Sequence, residues 1–378
     1  MHGFHRVASA VNKTVVANPQ ENAVEILKLL GQAYTEDVAI VVFPELTLTG
    51  YTASDLFLNQ TLIQKQYDTL ESLLAASKDI PTIAILGFAL LHNNRLYNTA
   101  IVFQSGEILG VVPKSFLPNK KEFYDKRQFN TGIDIQNESI NLFKQEVPFG
   151  TDLLFKGHDE ILFGVEICED LWAITPPSNQ MAANGANIIF NLSASNELIG
   201  KAEYREELVR TQSARCMSAY VYSSSGVGES TTDTVFGGQA LIAEYGSMLM
   251  QNERFNLDSN LITADLDLQR LNWLRINESS YTDTTMTPFR IIALKETVKI
   301  KKLKRFIPSM PFVPSVFQEK QHRCDEIVNI QAHALIKRMQ HAHIKKAVIG
   351  ISGGLDSTLA LLSTHKAFEL MKWNSKDI

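Results

Sequence analysis

Cys168 lies in the run Phe163-Gly164-Val165-Glu166-Ile167-Cys168-Glu169-Asp170-Leu171-Trp172, where an apolar segment meets a polar turn. A strand can hold a thiol there rigidly and present it to the space beyond, as a nucleophile elbow presents its serine. An isolated cysteine is ordinarily a small packed side chain, but an inert thiol has no use for the three surrounding acids Glu166, Glu169 and Asp170. Those acids also oppose thiolate formation, because negative charge nearby raises a thiol pKa. A reactive Cys168 therefore needs a cation and a base from elsewhere in the chain. Glu45 follows the apolar run Val38 to Phe43, and Lys114 follows the run Ile108 to Val112. All three residues stand at or just past the end of an apolar strand, where sheets carry their chemistry. Together they could support covalent attack by sulfur. Taken singly, Glu45 reads as a turn acid and Lys114 as a surface lysine.

A second constellation is Val348-Ile349-Gly350-Ile351-Ser352-Gly353-Gly354-Leu355-Asp356-Ser357. Gly353 and Gly354 let backbone N–H groups approach a phosphate, Ser352 and Ser357 add donors, and the turn opens a helix whose N-terminus favours anions. The string lacks the lysine of a Walker A loop. Its bland alternative is an ordinary tight connection.

The elements that must position these residues alternate. Phe4 to Val11 reads as a strand, and Asn18-Pro19-Gln20-Glu21 supplies a cap, a first-turn proline and a capping-box acid for a helix. Val24, Leu27, Leu30 and Tyr34 predict that helix's apolar stripe. Val38 to Phe43, Thr82 to Gly87, Ile161 to Ile167, Asn187 to Leu192 and Tyr220 to Ser224 read as buried strands. Helices are expected near Asp55 to Ser77 and over Lys201 to Ser218. Ser105-Gly106-Glu107 marks a hairpin between Thr99 to Gln104 and Ile108 to Val112. Phe236 to Glu244 and Leu261 to Leu266 complete the set. This pattern predicts a large mixed sheet, or two stacked sheets, with helices outside.

Beyond about Lys301 the character changes. Ile307-Pro308-Ser309-Met310-Pro311-Phe312-Val313-Pro314 is proline-spaced and reads as an extended linker. A helix over about Glu319 to Gln340, a short buried strand Ala347 to Ile351 and a helix from Thr358 to Leu370 follow. One strand and its flanking helices cannot bury both faces of a parallel sheet, so the segment is expected to be the truncated start of a domain. The division predicted is residues 1–300, a linker over 301–320, and 321–378.

Composition bounds the function classes. A chain of 378 residues with 45% hydrophobic and 20% charged residues is globular. A net charge of -5 gives no general attraction to nucleic acid or an anionic membrane. The basic run Lys299 to Arg305 is the exception and reads as a solvated face. Three cysteines without paired spacing argue against a disulfide framework and a zinc site, so no metal is expected. Cys216 reads as packed, Cys324 carries no motif, and His341 and His343 read as solvated. The N-terminus, with His2, His5 and Arg6, is not a signal peptide, and no run approaches the roughly 20 apolar residues of a membrane span. A reducing cytoplasm is the simplest compartment.

Glu45, Lys114 and Cys168, in that chain order and at strand ends, resemble the Glu-Lys-Cys triad of the nitrilase superfamily of carbon–nitrogen hydrolases. The likeness covers roughly residues 1–300 and implies an α-β-β-α sandwich performing covalent amide hydrolysis without a cofactor. It assigns Glu45 as base, Lys114 to the oxyanion and Cys168 as nucleophile. Glu122 corresponds to the second glutamate that many members place beside the lysine. The Ser-Gly-Gly-x-Asp-Ser string resembles the pyrophosphatase-type loop of ATP-dependent amide-forming synthetases. A nitrilase unit joined by a linker to such a loop is the arrangement of the glutamine-dependent NAD synthetases. That family implies a unit that releases ammonia from L-glutamine. A second unit, using ATP and Mg, amidates nicotinic acid adenine dinucleotide, and the assembly is homo-oligomeric. Glu169 and Ser195 would contact glutamine, and Ser352, Gly353, Gly354, Asp356 and Ser357 would cradle phosphate. Lys201 stands where an arginine is common and Lys120 where an aromatic is common, and an ammonium cannot form arginine's bidentate fork. Phe123 and Trp172 are expected to wall the pocket. Little glutaminase activity and no NAD formation are expected of this chain alone. The competing readings are a stand-alone amidase or carbamoylase and a non-catalytic module.

Overall fold

The computed structural model describes residues 3–313 and 316–378. His2 at the N-terminus and Pro314 of the proline-spaced segment lie outside them. The chain divides into two compact units, one ending at Arg305 and the other beginning at Phe306.

The first unit's strands are β1 (Phe4–Val11), β2 (Ile40–Val42), β3 (Ile83–His92), β4 (Arg95–Gln104), β5 (Glu107–Pro113), β6 (Glu138–Leu142), β7 (Gln145–Phe149), β8 (Leu153–Lys156), β9 (Leu162–Ile167), β10 (Ile188–Ser193), β11 (Ala219–Ser224), β12 (Ala240–Glu244), β13 (Ser247–Gln251), β14 (Asn260–Asp267) and β15 (Arg290–Ala293). Its helices are α1 (Pro19–Thr35), α2 (Gln60–Ala76), α3 (Asp125–Gln128), α4 (Glu169–Trp172), α5 (Pro177–Ala183), α6 (Lys201–Arg215), α7 (Leu268–Ile276) and α8 (Ser279–Thr282). The strands form two sheets, ordered β14-β1-β2-β3-β4-β5-β7-β6 and β13-β12-β11-β10-β9-β8-β15. In the first, β1, β2 and β3 are parallel, and in the second so are β9, β10 and β11. Each parallel set therefore gathers its carboxyl ends at one edge of its sheet.

Val7, Ile40 and Ile85 of one sheet pack with Phe163, Phe190 and Val221 of the other, so the main core lies between the sheets. α1 and α2 cover the first sheet's outer face through Ile26, Leu30, Leu70 and Leu74. Met181 and Val209 bring α5 and α6 onto the second. The architecture is the expected α-β-β-α sandwich. Each large apolar side chain fully buried contributes about 1.5–3 kcal/mol, so the layers hold through their apolar faces.

Several boundaries differ from the sequence expectation for local reasons. Asn18 caps α1 and its amide bonds Glu21, as the motif predicts. The buried face, however, runs through Asn22, Ile26, Leu29, Leu30 and Ala33, while Val24 (66%) and Tyr34 (44%) are exposed. Asn22 is polar but accepts from Val15 N and donates to the carbonyls of Val15 and Leu48, which lets it sit inside. β3 and β4 extend past Gly87 and start before Thr99, closing on Asn93-Asn94 with both φ positive, a type I′ turn suited to strand twist. α2 starts at Gln60, capped by Asn59, after a 3-10 stretch at Tyr51–Leu58. The lysines of the basic run, Lys299, Lys301, Lys302 and Lys304, are exposed as expected, while its last residue turns inward. Arg305 places two nitrogens on Glu244 at 2.7 Å each, and Lys304 N donates to Asp265 at 2.6 Å.

In the second unit α9 (Phe317–His341) packs with α10 (Leu355–Leu370). The expected strand Ala347 to Ile351 does not form, and Val348 is fully exposed. A strand needs neighbours for its N–H and C=O groups, and no strand of this unit is present among the described residues.

Candidate active site

Three strand ends deliver the charged cluster. Glu45 leaves β2, Lys114 follows β5 directly, and Cys168 follows β9. Glu45 N donates to Ser193 O at 3.2 Å, which joins the first sheet to the end of β10 in the second. Gly87 of β3 lets the Pro44–Leu46 backbone pass close against it: a Cβ there would lie 2.1 Å from Leu46 N and 2.6 Å from Pro44 O. Cys168 has φ of +47°, a conformation a side-chain-bearing residue adopts only where its surroundings impose it. Its N–H donates to Leu192 O at 2.8 Å.

Lys114 Nζ lies 2.5 Å from Glu45 Oε1 and 2.8 Å from Asp125 Oδ2, with all three side chains buried. Asn98 Nδ2 donates to the same Glu45 Oε1 at 2.6 Å, and Tyr51 OH to Asp125 Oδ1 at 2.6 Å. Glu45 Oε2 is buried and has no hydrogen-bond partner among the described residues. Burial raises the Glu45 carboxyl, against the pull of Lys114. Burial also opposes the Lys114 charge, but Asp125 and Glu45 outweigh it and hold the ammonium well above its usual value. The Cys168 thiol is pushed up to about 12, by burial first and by Glu45 next, with Lys114 opposing. The site thus sets a thiol disfavoured from ionising beside a fixed cation and a Glu45 oxygen that has no partner among the described residues. It can remove a proton from sulfur only as sulfur attacks.

The acids flanking Cys168 behave differently from the sequence argument. Glu166 is buried and takes Tyr220 OH and Ser178 N. Asp170 takes Phe116 N at 2.8 Å and Ile167 N at 2.9 Å. Burial raises both carboxyls, Asp170 to about 8. They tie the turn to its neighbours, while Glu45, remote in sequence, is the carboxylate that bears on the sulfur.

The remaining expected residues are distributed around this cluster. Glu122 is not on Lys114: it accepts from Asn196 Nδ2 at 2.6 Å, and the acid on the lysine is Asp125, three residues later. Glu169 holds the exposed ammonium of Lys120 at 2.7 Å. Ser195 is buried, its N–H on Ser224 Oγ. Lys201 Nζ donates to Asn196 Oδ1 and lies over the rings of Phe123 and Trp172; burial lowers its pKa. A cavity of about 200 Å³ is lined by Tyr51, Phe123, Asp125, Thr232 and Phe236, so Tyr51 and Asp125 belong to both the cavity wall and the charged cluster. Asp125, Asn98 and Tyr51 were not expected from sequence. Asn98 carried a signal, as a polar residue inside the apolar strand Leu96 to Phe103, and Asp125 lay in the same loop as Glu122.

In the second unit, Ser352 Oγ lies 3.3 Å from Ser357 Oγ and accepts from Gly354 N at 3.4 Å. Gly353 has φ of +82°, and α10 starts at Leu355. Residues 352–356, Asp356 included, are exposed.

Residues 6–275 match the family model described as carbon-nitrogen hydrolase. A glutamine-dependent NAD(+) synthetase of Mycobacterium leprae is 40% identical over 377 residues, covering 97% of this chain and 55% of that protein. The chain thus spans about half the length of this curated relative. The crystal structure of a glutamine-dependent NAD(+) synthetase from Cytophaga hutchinsonii superposes with a TM-score of 0.62 at 23% identity, covering 99% of this chain and 53% of that one. An amidase from Nesterenkonia sp. superposes at 0.57 with 17% identity, covering 73% of this chain and 97% of its own. The two structural likenesses establish the fold.

Proposed function

The chain belongs to the carbon–nitrogen hydrolase family, and from that premise we propose that its first unit hydrolyses the side-chain amide of L-glutamine. The observation that carries the reading is the buried Lys114 between Glu45 and Asp125 beside the Cys168 strand end, with Glu45 Oε2 unpartnered. Cys168 Sγ attacks the amide carbon as Glu45 Oε2 takes its proton. The carbonyl oxygen becomes an oxyanion beside Lys114 Nζ and the N–H of Glu169, which opens α4 and has no intrahelical acceptor. Glu45 passes its proton to the amide nitrogen, the C–N bond breaks, and ammonia leaves a thioester on Cys168. Water then adds to the thioester with Glu45 again accepting a proton, and collapse of that adduct expels sulfur, which regains its proton as glutamate departs.

Substrate recognition follows from the same surroundings. Glu169 would exchange the Lys120 ammonium for the α-ammonium of glutamine, Ser195 would add a polar contact, and Lys201 would face the α-carboxylate. The glycine loop and the name of the M. leprae relative support a further step in a longer protein. There ammonia amidates nicotinic acid adenine dinucleotide with ATP and Mg, and Ser352, Gly353, Gly354, Asp356 and Ser357 hold phosphate. No helix among the described residues is long and apolar enough to cross a membrane. The test is ammonia and glutamate release from L-glutamine, beside a Cys168→Ala control. Release from propionamide but not from glutamine would move the reading to a simple amidase.

A further inference from the structure

Glu45 has two oxygens in unequal surroundings. Oε1 receives both Lys114 Nζ and Asn98 Nδ2, at 2.5 and 2.6 Å, while Oε2 receives nothing among the described residues. Asn98 is itself buried, and its own Oδ1 lacks a donor. An amide that leaves a buried acceptor unpaired in order to aim its NH2 at a carboxylate is not there for packing, since an unmade buried hydrogen bond is costly. The same residue holds the lysine from behind: Lys114 N donates to Asn98 O at 2.9 Å, and β4 pairs with β5 through Thr99 and Pro113. One position on β4 therefore fixes both charged partners of the thiol.

We propose that Asn98 is a positioning residue that saturates Glu45 Oε1 and so makes Oε2 the single atom that takes the Cys168 proton. The inference rests on the proposed chemistry of Cys168 but not on the identity of the amide. Without the Asn98 donor the carboxylate can rotate and offer either oxygen to Lys114, and its ionised form loses a hydrogen bond. The base then binds protons more tightly, and the acid limb of the pH profile moves to higher pH. Asn98→Asp keeps the shape but sets a second carboxyl against Glu45, and like charges at one site raise a carboxyl pKa.

The test is the pH dependence of glutamine hydrolysis and, separately, of Cys168 alkylation by iodoacetamide followed by intact mass. In the second reaction a sulfur–carbon bond forms, iodide leaves, and Glu45 takes the thiol proton. Asn98→Ala is expected to slow both by about 10- to 100-fold, the range for losing a hydrogen bond to a charged group. In Asn98→Ala and Asn98→Asp alike the acid limb should move to higher pH. If Asn98→Ala does not fold, Asn98→Leu, which removes the donor at similar volume without adding a charge, decides the matter. Profiles that superimpose on wild type after scaling overturn the proposal. If glutamine is not hydrolysed by the wild type while the alkylation limb still moves in the variants, the positioning role stands and the glutamine reading fails.

Discussion

The cluster around Cys168 and the glycine loop at Ser352–Ser357 look alike in the sequence, since each is an apolar run that ends in a short polar turn. In three dimensions they part. β9 lies between β8 and β10, so the turn after it is braced by Leu192 O on one side and by Asp170 on the other. The run Ala347 to Ile351 pairs with no strand among the described residues; Val348 and Ile351 are exposed, and Ala347 and Ile349 only half-buried. The glycine loop keeps its hydroxyls and its helix N-terminus, but its unit has no strand among the described residues. A loop motif specifies donors; only the neighbouring strands fix where they point.

The largest break in that comparison should come at Cys168. Cys168→Ala should lower ammonia release by about 10⁴-fold or more, since in the proposed reaction Cys168 alone forms the covalent bond. Ser357→Ala should leave the same assay unchanged. Next is Glu45→Gln, expected to cost about 10³-fold in hydrolysis, within the range for a general base. It also has a pH signature. Burial, the larger cause of the raised Cys168 thiol, persists in Glu45→Gln, so only the minor thiolate is left to react and iodoacetamide labelling should climb steeply from pH 7 to 10. Wild type should be flatter across that window.

Lys114→Met tests the bracing itself. It leaves Glu45 and Asp125 as buried acids without their cation, a change that costs about 3–5 kcal/mol, read as a lower urea midpoint. Gly87→Ala is smaller: overpacking costs about 1–3 kcal/mol. Because the added Cβ strikes the backbone at Leu46 and Pro44, activity should fall with stability, as an ordinary strand substitution would not require. The smallest effect is expected in the second unit, where Ser357→Ala should change the urea midpoint by less than about 0.5 kcal/mol equivalent.

Local signals explain which elements could be read in advance. The strand at Phe4–Val11 and the Asn18 cap follow from patterns complete within a dozen residues. The β6–β7 hairpin, β13 and β15 escaped because they are short and carry weak alternation, and β15 forms only by pairing with β8. The face of α1 was misjudged because Asn22 is buried by hydrogen bonds that periodicity cannot reveal.

For the site, the sequence by itself determined the chemical types and their places at strand ends: Glu45, Lys114 and Cys168, each after an apolar run. Tertiary structure decided which acid serves which partner. Asp125 rather than Glu122 meets Lys114, Asn98 occupies one oxygen of Glu45, and Glu166 and Asp170 turn inward as backbone ties. The reason is physical. Residue type and spacing set what a side chain can do, but the pairing of buried charges depends on which strands adjoin, and that is fixed only when two sheets close on a common core.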